Sequence, residues 1–579
     1  MPITKVDVKP AHEQKQLDAI PWQKLVDRKK QQLAGAIPAK WKLDVSLVRE
    51  LTEANGGRLL ELDPARRSGV LGDVELDITE SYSALELVNE MALGRLTATQ
   101  VVTAFCKRAA VAQQLMSPSN FEPETQLQTS CLTESFYVEA IARAKSLDDY
   151  YRENGKTIGP LHGLPISLKD TFKVVGFDAT AGYVNGLKLG PATTNSCLVS
   201  VLLDAGAVFY VKTNVPQITS LKHIHHSAKT ADSENHIYGR TLNPHNLNLN
   251  AGGSSGGEGA LVAFRGSPIG VGTDIAGSIR FPAMCCGNYG FKPTNHRSEG
   301  VILSLPGPFP SAGPVASTME DLQLFMNAVI NQRAAAYDAT ALDLPWREPA
   351  VGQRLRLGVL EEDPAWPLHP PVRRAFEDAI NALSVAGHEV VRLPYDYERS
   401  VDLGLRLSYQ FFELAHPPEE DLAAVLGEPL VKAAAARMHP FTAKPRPVPK
   451  DLAESWHHLD DLDAARAKFA EMWHRMWFDH KLDAIVAPGA DKTAVPHDTY
   501  GLMPYTVVFN LLDYPSCLIP TGHASKTLDP EPVKAQDPFL PDFDGAPCGI
   551  QVVTSKLRDE ECLAAAAIVD KVINANRRK

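Results

Sequence analysis

The sequence predicts an α/β fold, a sheet with helices on both faces, and three observations carry that prediction. Leu198-Val-Ser-Val-Leu-Leu-Asp-Ala-Gly206 reads as a helix closed by glycine, and the strand-like run Val208-Phe-Tyr-Val-Lys212 follows at once. The same helix–glycine–strand form returns at Ala375–Gly387 and Glu389–Arg392. From residue 155 onward, strand and helix text alternate. Such alternation is what a sheet crossed by helices produces. The 579 residues are 44% hydrophobic and 22% charged, ordinary values for a globular chain.

Taken in order, residues 1–75 read as a helical extension, with Trp22–Leu33 placing apolar side chains at helical spacing. Residues 76–150 continue as helix, with Thr97-Ala-Thr-Gln100 ahead of Val101 as a helix start. The alternating α/β text then begins. Residues 400–450 hold helical text followed by Pro440, Pro445, Pro447 and Pro449, which cannot continue a helix and suggest a lid-like surface insert. Residues 525–547 carry Pro530, Pro532, Pro538, Pro541 and Pro547 among several acids, a long loop. Surface decoration explains both segments as well as substrate gating does.

The chemistry concentrates in residues 252–294, dense in glycine and serine, with Ser254 and Ser278 each in a glycine-flanked turn. Upstream, Lys169 closes the apolar run Gly163-Leu-Pro-Ile-Ser-Leu-Lys169. A serine hydroxyl is a poor nucleophile unless a neighbour takes its proton. A lysine can do so only when neutral, and burial among groups such as Leu164, Pro165, Ile166 and Leu168 favours the neutral form. Ser-Lys pairs are an established nucleophile–base arrangement. Glycines beside a serine let backbone N–H groups converge on one point, as an oxyanion hole requires.

These residues resemble the amidase signature family of serine hydrolases. The matching words are Gly252-Gly-Ser-Ser-Gly-Gly-Glu-Gly-Ala-Leu-Val262, Gly272-Thr-Asp-Ile-Ala-Gly-Ser-Ile-Arg-Phe-Pro282 and Gly290-Phe-Lys-Pro-Thr294. Leu164–Asp170, Lys212–Gln217, Asn510–Pro515 and Gly549–Gln551 also match. The resemblance implies a large mixed sheet within one catalytic domain over 76–579, its core at 155–340 and its C-terminal part at 480–575. It implies Lys169 as base, Ser254 as a bridging serine held by a cis peptide, and Ser278 as the nucleophile that forms the acyl-enzyme. The N–H groups of Ile275, Ala276, Gly277 and Ser278 would form the oxyanion hole. Many relatives have glycine where Ala276 stands, but a methyl group leaves the N–H free. The text looks most like the acetamidase-type branch found in fungi. The implied activity is hydrolysis of linear carboxylic amides, with no metal or organic cofactor. Carbamates, esters, aryl amides and fatty acyl amides are alternatives within the same mechanism. Ile218, Thr219, Ser255, Tyr505 and Asn510 are candidates for the substrate pocket.

Each assignment has a plainer competitor. Ser278 could be an ordinary turn serine, and Lys169 a structural lysine. Ser255 is either a helper donor or a turn residue. Asp274 and Arg280 suit a local ion pair bracing the loop better than a part in the chemistry. Gly252-Gly-Ser254-Ser-Gly256 fits the α/β-hydrolase elbow, but that motif needs a strand just before it. The preceding Asn243–Asn250 reads as polar and turn-like. No phosphate-binding glycine motif occurs. His223, His225 and His226, with His236 and His245 further on, lack acidic or cysteine partners at metal-ligand spacing and read as a polar loop. A silent binding scaffold would require loss of Lys169, Ser254 or Ser278, and all three are present.

The net charge of −11 argues against nucleic-acid partners, a tRNA-dependent transamidase included. Eight cysteines without C-x-x-C or dense spacing suggest neither zinc nor a disulfide framework. With no apolar leader and no run of about 18 apolar residues, the expectation is a cytoplasmic enzyme without a membrane span. A homodimer is the default assembly.

Overall fold

Eleven strands form one mixed sheet: β1 (Leu132–Ser135), β2 (Pro165–Lys169), β3 (Val208–Thr213), β4 (Ile269–Asp274), β5 (Tyr289–Lys292), β6 (Ser311–Ala316), β7 (Arg356–Leu360), β8 (Glu389–Leu393), β9 (Ala484–Pro488), β10 (Ser516–His523) and β11 (Pro547–Val553). The computed structural model describes residues 20–116, 131–217, 231–299, 307–414, 426–432, 452–529 and 543–575. The strand order is β1-β3-β2-β4-β6-β5-β10-β11-β9-β7-β8. β2 runs parallel to β3 and β4, and β7 runs parallel to β8 and β9. The pairs from β4 through β6, β5, β10 and β11 to β9 are antiparallel, as is β1 against β3. β2, β3, β9 and β11 are buried at every position, the pattern of strands covered on both faces. The sheet is therefore the large mixed α/β sheet that the sequence implied.

The covering helices follow their local signals. In Ala98–Leu115, Thr97 accepts from the Gln100 N–H and the Gln100 side chain accepts from the Thr97 N–H, a reciprocal cap. Cys197–Asp204 and Pro370–Val385 both give way to glycines with positive φ, Gly206 and Gly387, which turn the chain into β3 and β8. Helix Trp22–Ala36 lays Leu25, Val26 and Leu33 on Val184, Ile237 and Tyr238. Its Lys29 is buried and reaches Glu134 on β1 and Asp178. No helix among the described residues is long and apolar enough to cross a membrane.

Two readings need correction. Residues 76–150 are not helical throughout: Leu132–Ser135 is a strand, antiparallel to β3. Four residues are too few to show a period, and this edge takes its form from β3. The segment before Gly252 is not a polar turn either. Asn246–Asn250 forms a short, mostly buried strand outside the main sheet, paired with Leu242–Asn243 and bridged at Leu249 to Pro496. Asparagine side chains tie it to nearby backbone: its own Asn248 Nδ2 donates to the Gly56 carbonyl, and Asn243 Nδ2 of the paired strand to the Asn250 carbonyl, each at 3.0 Å. The prolines at 440–449 and 530–541 lie outside the described residues.

The parallel pair β2 and β4 positions the site. Leu168 pairs with Val271, so Lys169 and Thr273–Asp274 emerge together at the carboxyl ends of neighbouring strands. In α/β sheets that edge is where ligand crevices form.

Candidate active site

Lys169, the last residue of β2, is 1% exposed. Its Nζ donates to Ser254 Oγ at 2.7 Å and to Thr273 Oγ1 at 2.8 Å. Burial disfavours the ammonium and draws the lysine down to about 7, although Asp274 and Glu258 pull the other way. A neutral amine is thus within reach at neutral pH, as a general base requires. Ser254 follows a cis Gly253–Ser254 peptide and stands directly before helix Gly256–Ala263. Its hydroxyl is bonded to a lysine and not to a histidine, so the elbow reading is set aside despite the short strand preceding it.

Ser278 belongs to the loop between β4 and helix Arg280–Cys285. Its carbonyl accepts from the Ser255 N–H at 3.2 Å, which ties the Ser278 loop to the turn carrying Ser254 and Ser255. Ser255 is buried, and its hydroxyl is turned to the Thr273 carbonyl at 3.4 Å.

Asp274 organises this loop from within. It accepts from the N–H groups of Gly277 (2.8 Å) and Ile279 (3.1 Å), and from Arg280 Nε (3.1 Å). Both partners of the Asp274–Arg280 ion pair are fully buried, and the guanidinium holds the carboxyl well below the usual carboxylate range against the cost of burial. The bracing pair expected from the sequence is therefore present. The expected oxyanion set changes in one member, because the Gly277 N–H is committed to Asp274. The N–H groups of Ile275, Ala276 and Ser278 find no acceptor among the described residues. Gly277 has φ +124°, and a Cβ there would run into the Thr506 side chain.

Distant segments lock the same loop. Thr506 Oγ1 donates to the Ala276 carbonyl at 2.6 Å. Arg280 donates to Asn510 Oδ1 (2.6 Å), Gln551 Oε1 (3.1 Å) and the Thr506 carbonyl (3.0 Å). This corrects the place given to Asn510. It is not on a pocket wall but wholly buried under the loop, its amide used by Arg280, Asp274 and Phe309. Tyr505 is likewise inward, its hydroxyl donating to the Trp366 carbonyl and accepting from the Asp363 N–H, each at 2.9 Å. Ile218, Thr219 and the histidines at 223, 225 and 226 lie outside the described residues. His236 bonds to the Pro429 carbonyl and His245 to the Cys286 carbonyl.

Sequence reasoning missed an apolar wall. Ile275 and Ala276 form one cluster with Leu405, Tyr409 and Phe412 of helix Val401–Leu414, and with Leu502 and Val507. The spacing 405, 409, 412 is a helical stripe and was available as a signal, but it lies in text read as a surface insert.

The chain matches the family model described as Amidase over residues 101–563. It is 36% identical over 564 residues to an amidase of Gibberella moniliformis, covering 96% of this chain and 99% of that one. It is 35% identical over 580 residues to an acetamidase of Emericella nidulans, covering 95% and 98%. Among solved structures, fatty acid amide hydrolase superposes with a TM-score of 0.80 at 28% identity, covering 96% of each chain.

Proposed function

Since the chain belongs to the amidase signature family of amide-hydrolysing enzymes, we propose that it cleaves linear carboxylic amides through a serine–serine–lysine relay. The observation that carries this reading is the short hydrogen bond from the buried, weakly basic Lys169 to Ser254. Ser278 Oγ attacks the carbonyl carbon as its proton passes to Ser254 Oγ, while the Ser254 proton passes to Lys169 Nζ. The oxyanion that forms is met by the N–H groups of Ile275, Ala276 and Ser278. The C–N bond then breaks as the proton held on Lys169 returns through Ser254 to the nitrogen, because an unprotonated amide nitrogen leaves poorly. Water attacks the resulting ester of Ser278 by the same relay and releases the acid. The wall of Leu405, Tyr409, Phe412, Leu502 and Val507 suits an apolar acyl group.

The test is a substrate panel of acetamide, hexanamide, benzamide, oleamide, ethyl carbamate and a nitroanilide, run with wild type and Ser278→Ala. Turnover of short amides, abolished in Ser278→Ala, is expected. Preference for oleamide or the carbamate would keep the mechanism and replace the substrate. Unchanged activity in Ser278→Ala would overturn the nucleophile.

A further inference from the structure

The relay leaves one buried ionisable group beside it unused. Glu258, on helix Gly256–Ala263, has no exposed surface and, among the described residues, no arginine or lysine in hydrogen-bond contact. Its carboxyl accepts from Ser167 Oγ and, at 2.8 Å, from Thr213 Oγ1. Both donors flank the lysine. Ser167 lies two residues before Lys169 on β2, hence on the same face of the sheet. Thr213 is the register partner of Lys169 on β3. On the third side, Gly270 of β4 pairs with Ser167, and any side chain there would collide with Glu258 Oε2. Three strands thus shape one socket that holds a carboxyl group on the face carrying the lysine.

A plain structural carboxylate would sit in water or against a cation. Here the other ionisable groups packed around the helix are few. β2 contributes Lys169, β3 contributes Tyr210 and Lys212, the latter already paired with Asp170, and Cys131 lies just ahead of β1. β4 ends in Asp274, and helix Arg280–Cys285 brings Arg280, which Asp274 already pairs, and Cys285, which burial keeps neutral. β6 carries none. Burial keeps Tyr210 and Cys131 neutral. Lys169 is therefore the charged form whose stability Glu258 can influence.

We propose that Glu258 is a positioning residue for the catalytic lysine, its carboxyl held by Ser167 and Thr213 so that its charge sets how readily Lys169 takes up a proton. The inference rests on the reading of Lys169 as the base. In support, burial pushes Glu258 up to about 8, near the lysine's own range, so the two groups titrate as a pair. The carboxylate form favours the ammonium of Lys169, and the protonated form releases it as the free base.

The test is the pH profile of kcat/KM for hexanamide in wild type, Glu258→Gln and Ser167→Ala. Glu258→Gln removes the charge that raises the lysine's proton affinity, and because Glu258 is only partly ionised over the acidic limb, the limb should move to lower pH by roughly a few tenths of a unit. Ser167→Ala removes a hydrogen bond that favours the carboxylate, so the limb should move the same way by less. A merely structural role would lower thermal stability without moving the limb. An unmoved limb in a folded Glu258→Gln protein overturns the proposal. If Glu258→Gln does not fold, an unmoved limb in Ser167→Ala overturns it instead. Lys169→Ala run in parallel separates the two levels. Full activity there would refute the relay itself, whereas an inactive Lys169→Ala with an unmoved Glu258→Gln limb refutes only the role of Glu258.

Discussion

The hydroxyl of Thr506 offers a sharp test of how the nucleophile loop is held. It donates to the Ala276 carbonyl at 2.6 Å, and both residues are buried. That bond fixes the Ala276–Gly277 peptide plane, whose N–H end points at Asp274. Thr506→Val keeps the shape of the side chain and removes the donor. A buried carbonyl left unpaired costs about 1–3 kcal/mol. If the loop relieves this by rotating the peptide, the neighbouring N–H groups proposed to meet the oxyanion shift, and a misplacement of about 1 Å costs roughly 100-fold in rate. The expected result is a fall in kcat of that order with KM little changed, because a donor that acts on the oxyanion acts in the transition state. Affinity for a trifluoromethyl ketone, which forms a tetrahedral adduct, should fall in parallel, and Thr506→Ser should restore most of both. Steady-state kinetics on hexanamide with the three proteins decides it. A Thr506→Val enzyme with kcat within about twofold of wild type would refute the claim that this bond positions the loop.

The same reasoning reaches other sites. Lys169 must be neutral to accept a proton, so kcat/KM should fall about tenfold per pH unit below its value of about 7 and level off above it; a profile flat from pH 5 to 8 would contradict this. Lys29→Met leaves the buried Glu134 without its cation, which should lower unfolding stability by about 3–5 kcal/mol in urea titrations while leaving the kcat of the folded enzyme unchanged. Leu405→Ala opens space in the apolar wall beside Ile275, so the ratio of hexanamide to acetamide turnover should rise several-fold; an unchanged ratio would remove Leu405 from the acyl site.

What the sequence made legible was whatever its local chemistry could specify. Thr97 and Gln100 announce a helix start because the reciprocal cap is built from residues three apart. Lys169 stands out because an amine embedded in apolar text has few other uses. The strand Leu132–Ser135 escaped notice because its pairing partner lies about 80 residues further on, well beyond any local window. The family resemblance places the Gly277 N–H in the oxyanion hole, because aligned words carry no hydrogen-bond partners. Only the folded loop brings Asp274 beneath it. Thr506, Asn510 and Gln551 act on a loop more than 200 residues earlier in the chain, and nothing in their local text says so. Leu405, Tyr409 and Phe412 were readable as an apolar helix face, but a face does not reveal its partner, which is the loop of Ile275 and Ala276.

The most direct test of the central claim is to catch the acyl-enzyme. The protein would be mixed with p-nitrophenyl hexanoate, quenched in acid at times shorter than a turnover, digested and mapped by mass. The account predicts a hexanoyl group on the peptide carrying Ser278, absent in Ser278→Ala and slow to form in Lys169→Ala. A hexanoyl group on Ser254 instead, or turnover with no covalent adduct at any time, would contradict it.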